Sequence, residues 1–120
     1  MVRASSGIYD AGQVGGQKHK LGYFRQTTGI VDNFPITKDM PTVLYLKATT
    51  ARDVLLPAVD AEVDGRVLFL YNEGTGVITL KTSSDAALSP ARTVAGNAAI
   101  VVHAINGLAA ASAWKTLSVT

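Results

Sequence analysis

Residues 49–81, TTARDVLLPAVDAEVDGRVLFLYNEGTGVITLK, then residues 93–108, TVAGNAAIVVHAINGL, and a single tryptophan at position 114 decide the fold. Within them Arg52 to Leu56 (RDVLL), Arg66 to Tyr71 (RVLFLY), Val77 to Lys81 (VITLK) and Ala98 to Ile105 are short runs rich in β-forming residues. Each is bounded by Pro, Gly, Asn or Asp, the punctuation of strands rather than helices. Working outward, Thr42 to Lys47 (TVLYLK) and Ala113 to Val119 add strands on either side, and Ala91 to Ala95 a shorter one. The reading is all-β: a small antiparallel β-sandwich or barrel-like domain with an extended N-terminal arm.

Several local features sharpen that expectation. Pro57 lacks the donor a ladder needs and stops RDVLL. The nearly unbroken apolar run RVLFLY suits a strand covered on both faces, and marks the centre of the core. Asn72-Glu73-Gly74-Thr75-Gly76 reads as a hairpin loop pairing RVLFLY with VITLK. Asp64-Gly65 and Gly96-Asn97 read as turns, and Asn106-Gly107 as a type I′ turn, whose central residues need positive φ. The alanine-rich stretch Leu108 to Ala113 accommodates a helical turn instead. No internal repeat of useful period is evident.

With 120 residues the chain fits one folded domain. Hydrophobic residues make up 48% and charged residues 17%, which excludes a disordered chain and leaves much surface uncharged, so part of it is expected to meet another protein. Cysteine is absent, which excludes disulfides and thiolate chemistry. Met1 to Gly16 carries no apolar signal-peptide core, and no run approaches the roughly 20 apolar residues of a membrane span. A soluble protein made in the cytoplasm is expected.

The N-terminal stretch from Met1 to Thr28 holds Arg3, Lys18, Lys20 and Arg25 against Asp10, so the basic excess lies there. Glycines at 7, 12, 15, 16, 22 and 29 disfavour a helix interior, and alternation is not sustained. Residues 1–34 are therefore expected to form an arm whose anchors Ile8, Tyr9, Val14, Leu21, Tyr23 and Phe24 fill pockets on a partner, and residues 35–120 a β-domain. Phe34-Pro35 and Met40-Pro41 mark the boundary, because proline disfavours helix at the preceding residue.

No constellation for catalysis stands out. His19 and His103 lack companions at ligand spacing, so neither a metal nor any other cofactor is expected. Asp60, Glu62 and Asp64 cluster on a loop but depart from the EF-hand spacing, and read as solvated charges. Gly74-Thr75-Gly76 precedes a strand, whereas a phosphate loop opens a helix. Ser83, Ser84 and Ser89 lack a nucleophile elbow. Lys18, His19, Lys20, Tyr23, Phe24 and Arg25 are too few for a nucleic-acid groove and serve equally against an acidic protein surface. Trp114 reads as core or interface.

The succession TARDVLLPA, a short acidic loop, GRVLFLYNEGTGVITL, a polar loop, TVAGNAAIVVH and a late tryptophan resembles a β-module of tailed-bacteriophage virion proteins, notably head decoration or head-fibre proteins and tail-fibre segments. The likeness covers about residues 48–117 and rests on Thr50, Arg52, Val54, Leu56, Pro57, Gly65, Asn72, Gly76, Ile78 and Trp114. It implies a homotrimeric structural protein on the outer capsid surface. A chain this short, without heptads or repeated β-elements, fits a capsid decoration (cement) protein better than a fibre. That reading assigns Arg3, Ile8, Tyr9, Lys18, Lys20, Tyr23, Phe24 and Arg25 to contact with the major capsid protein, and Leu44, Tyr45, Val101 and Trp114 to the trimer interface. It expects neither nucleic acid nor membrane as partner. A fibre or carbohydrate-binding module, with Tyr45, Tyr71 or Trp114 stacking on a host glycan, is the alternative; an enzyme is not expected.

Overall fold

The computed structural model describes residues 21–119. Among them run β1 (Tyr23–Arg25), β2 (Phe34–Pro35), β3 (Val43–Leu46), β4 (Arg52–Leu55), β5 (Val67–Asn72), β6 (Ile78–Lys81), β7 (Ala87–Val94), β8 (Ala99–Ala104) and β9 (Trp114–Val119), with a short 3-10 helix at Ala110–Ser112. One sheet has the order β9-β8-β5-β3-β1 and the other β2-β4-β6-β7. The protein is all-β, as its sequence indicates, and RVLFLY is indeed the central strand of the larger sheet.

The pairing departs from expectation. From β1 to β6 the chain crosses from one sheet to the other at every strand, so that β1, β3 and β5 are parallel neighbours, as are β2, β4 and β6. The first step along the chain is equally long in both sheets, placing Tyr23 opposite Val43 and Phe34 opposite Val54. The second step is longer and again equal in both, placing Val43 opposite Phe69 and Val54 opposite Leu80. The chain therefore winds as a stacked coil, in which the strand of the opposite sheet makes the crossover that a helix usually provides. Among the described residues, antiparallel pairs are confined to β6 with β7, β5 with β8 and β8 with β9. The expected antiparallel domain is thus corrected to two mixed sheets.

The supposed hairpin Asn72–Gly76 is instead a corner between the sheets. It lies on the corner one winding earlier: Glu73 N–H donates to Leu46 O and Gly76 N–H to Ala48 O, both at 2.7 Å. Asn72 Nδ2 donates to Gly76 O at 2.7 Å and Val94 O at 3.1 Å, while its Oδ1 accepts from Gly74 N at 3.0 Å and Ala48 N at 3.3 Å. A Cβ on Gly74 would meet Ala48 O at 2.0 Å, and one on Gly76 would meet Thr50 O at 2.2 Å. Here glycine serves close approach of two backbones rather than turn geometry.

Alternation along each strand sends one set of side chains inward. Leu44, Leu46, Leu68, Leu70, Ile100 and Val102 from the larger sheet meet Val54, Ile78, Leu80 and Val94 from the smaller in a single core. Trp114 joins that core, and its Nε1–H donates to Pro57 O at 3.0 Å. Residues 23–36 belong to this body. Ile30 and Ile36 are buried, and Phe24 and Phe34 pack together at 6.2 Å against the core. The expected boundary at residue 34 thus falls within the first winding. Its outer edge is blunted, since β2 is two residues long and includes a proline.

The connection from β4 to β5 is held by specific contacts. Asp60 Oδ1 accepts from Glu62 N and Val63 N, Glu62 pairs with Lys38 at 2.8 Å, and Asp64 Oδ1 accepts from Asn106 N. Each member of the acidic cluster therefore has a structural partner. Arg66, buried, donates from its guanidinium to Lys38 O and Met40 O, fastening the β2–β3 connection; burial pushes its pKa below the ordinary arginine value, against a smaller opposing effect of Asp39.

The Asn106-Gly107 segment does not form a two-residue turn. The β8–β9 connection is longer, includes the 3-10 helix, and uses positive φ at Gly107 while Ile105 N–H donates to Ala113 O.

Candidate interaction face

The residues that alternation turns outward make the two sheets chemically unlike. On the smaller sheet the outward side chains are mixed, Asp53, Leu55, Thr79, Lys81 and Thr93, and its charges are tied in ion pairs. Lys81 lies 3.5 Å from Asp53 and 3.8 Å from Asp85, and Arg52 lies 3.8 Å from Asp32. On the larger sheet Val43, Tyr45, Phe69, Tyr71, Ala99 and Val101 line a shallow apolar groove over β3, β5 and β8. No charged side chain lies among those six, and Phe69 is 46% exposed.

Parallel register builds the aromatic row. Tyr45 stands directly opposite Tyr71 on adjacent strands, and their ring centroids are 6.0 Å apart. Tyr23 on β1 extends the row, 5.9 Å from Tyr45. Tyr23 meets Tyr45 edge to face at 89° and Tyr45 meets Tyr71 tilted at 50°, so the three rings do not form one flat surface.

A charge pair borders the row. Arg25 on β1 clamps Glu73 with two parallel bonds, Nε to Oε1 at 2.9 Å and Nη2 to Oε2 at 3.1 Å. The hydrogen bond from Arg25 holds the Glu73 carboxyl below the usual glutamate range, and the same bond raises Arg25. The pair's contribution is complete above the ordinary glutamate pKa and is lost as pH falls through the lowered value. Arg25→Ala is expected to move the Glu73 titration upward, read by NMR of the side-chain carboxyl; an unchanged titration would show that the clamp does not persist in solution.

The residues singled out from the sequence fall into three groups. Arg3, Ile8, Tyr9, Lys18 and Lys20 lie outside the described residues. Tyr23, Arg25, Tyr45 and Val101 gather on or beside the aromatic face. Phe24, Leu44 and Trp114 point inward: Leu44 is fully buried and Trp114 is 6% exposed, so neither has side-chain surface to offer a trimer. The nomination of Leu44 and Trp114 is corrected on that ground, and Phe24 packs against the core for the same reason. Val43 and Phe69 share this face, and their signal in the sequence is the alternate spacing that sets them beside Tyr45 and Tyr71.

His103 sits half-buried on β8, as its place in an apolar strand suggests. No group of three His, Cys, Asp or Glu that could hold a metal occurs among the described residues. Nor is any helix among them long and apolar enough to cross a membrane. Comparison of the chain with protein-family models, curated proteins and solved structures finds no match.

Proposed function

We propose that this chain is a bacteriophage capsid decoration (cement) protein, a two-layer β-sandwich that binds the outer surface of the assembled head as a homotrimer and stabilises the major capsid lattice. The observation that carries the reading is the apolar aromatic groove over β3, β5 and β8, exposed on one sheet while the other turns polar side chains and ion pairs outward, as expected of a module that meets another protein. Charge distribution supports it. Of 11 basic and 9 acidic residues, Arg3, Lys18, Lys20 and Asp10 precede the described body, so the body balances and the segment before it carries the whole excess of +2.

The residues behind the virion-protein resemblance also have architectural work. Gly76 and Thr50 meet backbone to backbone, Asn72 ties three segments together, Trp114 bonds Pro57, and Val54, Leu56 and Ile78 fill the core. The mechanism is mechanical. The body sits on the shell, the basic segment grips neighbouring capsid subunits, and a ligand that binds only the assembled lattice stabilises it by mass action.

The test adds purified protein to expanded capsids that lack it, beside a version starting at Leu21, which spares both sheets. The full chain is expected to bind and raise the temperature at which shells open, and the shortened chain to do neither. Equal behaviour of the two would overturn the grip assigned to residues 1–20, and failure of both to bind would overturn the decoration role.

One observation favours the alternative of a fibre or receptor-binding module: the exposed row Tyr23, Tyr45, Tyr71 could stack on a glycan. The mutual tilt of the rings counts against it, because a sugar platform presents coplanar faces to its ligand.

A further inference from the structure

We infer that the outer face of the five-stranded sheet docks on an acidic surface of another protein, an apolar patch bordered by aspartate or glutamate. That the patch belongs to the outside of the shell rests on the decoration reading; the chemistry of the patch rests on the face itself.

The central strand β5 is apolar on both sides, a pattern that suits cover on both. Leu68 and Leu70 have theirs in the core, while Val67, Phe69 and Tyr71 look outward and remain partly exposed. With Val43, Tyr45 and Val101 the latter two form an uncharged centre, as protein–protein contacts have.

Charge around that centre names the partner's chemistry. The five strands contain no aspartate or glutamate, but they carry Arg25, His103 and Lys115. Lys115 is exposed and stands opposite half-buried His103 in the antiparallel register, on the same side of the sheet as Val101. At the other end of the groove Lys47 continues the outward row of Val43 and Tyr45, and Glu73 follows Tyr71 on the neighbouring strand. The hydrogen bond from Arg25 is the main influence that holds the Glu73 carboxyl down, and the Lys47 charge adds to it. The border thus sets three cations against one carboxylate, which Arg25 already engages. Neither Lys47 nor Lys115 has an ion-pair partner among the described residues. An opposing surface gains most by bringing carboxylates to those two ammonium groups.

The same charges count against other covers. A second copy laid face to face would bring a like-charged border, and residues 1–20 set Arg3, Lys18 and Lys20 against Asp10, so both carry the wrong sign. A nucleic-acid strand needs cations along the path of its phosphates, whereas here an uncharged groove separates them.

Amide NMR of the full chain, titrated with the peptide Glu-Glu-Leu-Phe-Glu-Glu and with its lysine counterpart Lys-Lys-Leu-Phe-Lys-Lys, tests this. The acidic peptide is expected to shift the amides of Phe69, Tyr71 and Val101 saturably, and to bind at least about tenfold more weakly at about 1 M salt, where the screening length falls to about 3 Å. Lys115→Glu should weaken it about tenfold, and Thr93→Asp, on the opposite sheet, should leave it unchanged. Should Lys115→Glu fail to fold, Lys47→Glu takes its place with the same expectation. No saturable shift, shifts elsewhere on the body, or equal shifts with the basic peptide would overturn the inference. So would movement of the same signals on concentrating the protein alone, on deleting residues 1–20 or on adding a thymidine oligonucleotide, each of which gives the face a different cover. Against expanded capsids, Lys115→Glu is expected to bind at least tenfold more weakly than the wild type. A face that takes the acidic peptide on a chain that ignores capsids overturns the decoration role alone, and capsid binding untouched by Lys115→Glu overturns this inference alone.

Discussion

Gly74→Ala is expected to cost about 3–9 kcal/mol, three hydrogen bonds left unmade at ~1–3 kcal/mol each. The added Cβ would stand 2.0 Å from Ala48 O, 2.5 Å from Ala48 C and 2.6 Å from Ala48 N, all of them backbone. No side chain can swing aside to admit it. The corner must lift from the winding below, and with it go Glu73 N–H to Leu46 O, Gly76 N–H to Ala48 O and Gly74 N–H to Asn72 Oδ1. Against a total stability of about 5–15 kcal/mol, that brings the fold near its limit. Gly22→Ala is the control. Gly22 has φ +84° but open space around it, so only the backbone penalty of about 1–2 kcal/mol applies. Urea denaturation of the three proteins checks the ordering; a Gly74→Ala cost no larger than that of Gly22→Ala would refute the stacked corner.

Asn72→Ala is the second large effect, expected at about 3–5 kcal/mol. The Asn72 side chain is fully buried and satisfies four backbone groups: the amides of Ala48 and Gly74 and the carbonyls of Gly76 and Val94. Truncation leaves these groups dry and unpartnered. Asn72→Asp is expected to be comparably severe, because a carboxylate keeps both acceptors but turns a negative oxygen toward two carbonyls. Since Asn72 and Gly74 secure one corner, the Gly74→Ala, Asn72→Ala double variant should lose clearly less than the sum of the singles, as contacting residues do. Thermal unfolding by calorimetry measures the two singles and the double, and strict additivity would contradict the shared corner.

The same corner explains what the sequence reveals and what it conceals. Strand positions were legible, because TVLYLK, RDVLL, RVLFLY, VITLK and the Ala98 to Ile105 run carry their propensity and punctuation locally. Their partners were not. Asn72-Glu73-Gly74-Thr75-Gly76 carries the local signature of a hairpin, whereas what demands its glycines is the backbone of Ala48 and Thr50, a full winding earlier. The coil escapes notice as a repeat because its two steps differ. The connection between β4 and β5, with its proline, acidic turn and buried Arg66, is longer than that between β2 and β3 and breaks the period.

The aromatic face was half legible. The sequence points to Tyr45 and Val101 for an interface but equally to Leu44 and Trp114, because which side of a strand faces the core depends on the opposing sheet. Parallel register then aligns Val43 with Phe69 and Tyr45 with Tyr71, an adjacency that their distance along the chain does not advertise.

Imaging of capsids decorated with the full chain tests the central claim most directly. The account predicts trimeric density on the outer surface, with residues 1–20 running over adjacent capsid subunits. Density absent from the shell, or residues 1–20 away from the capsid, would contradict it.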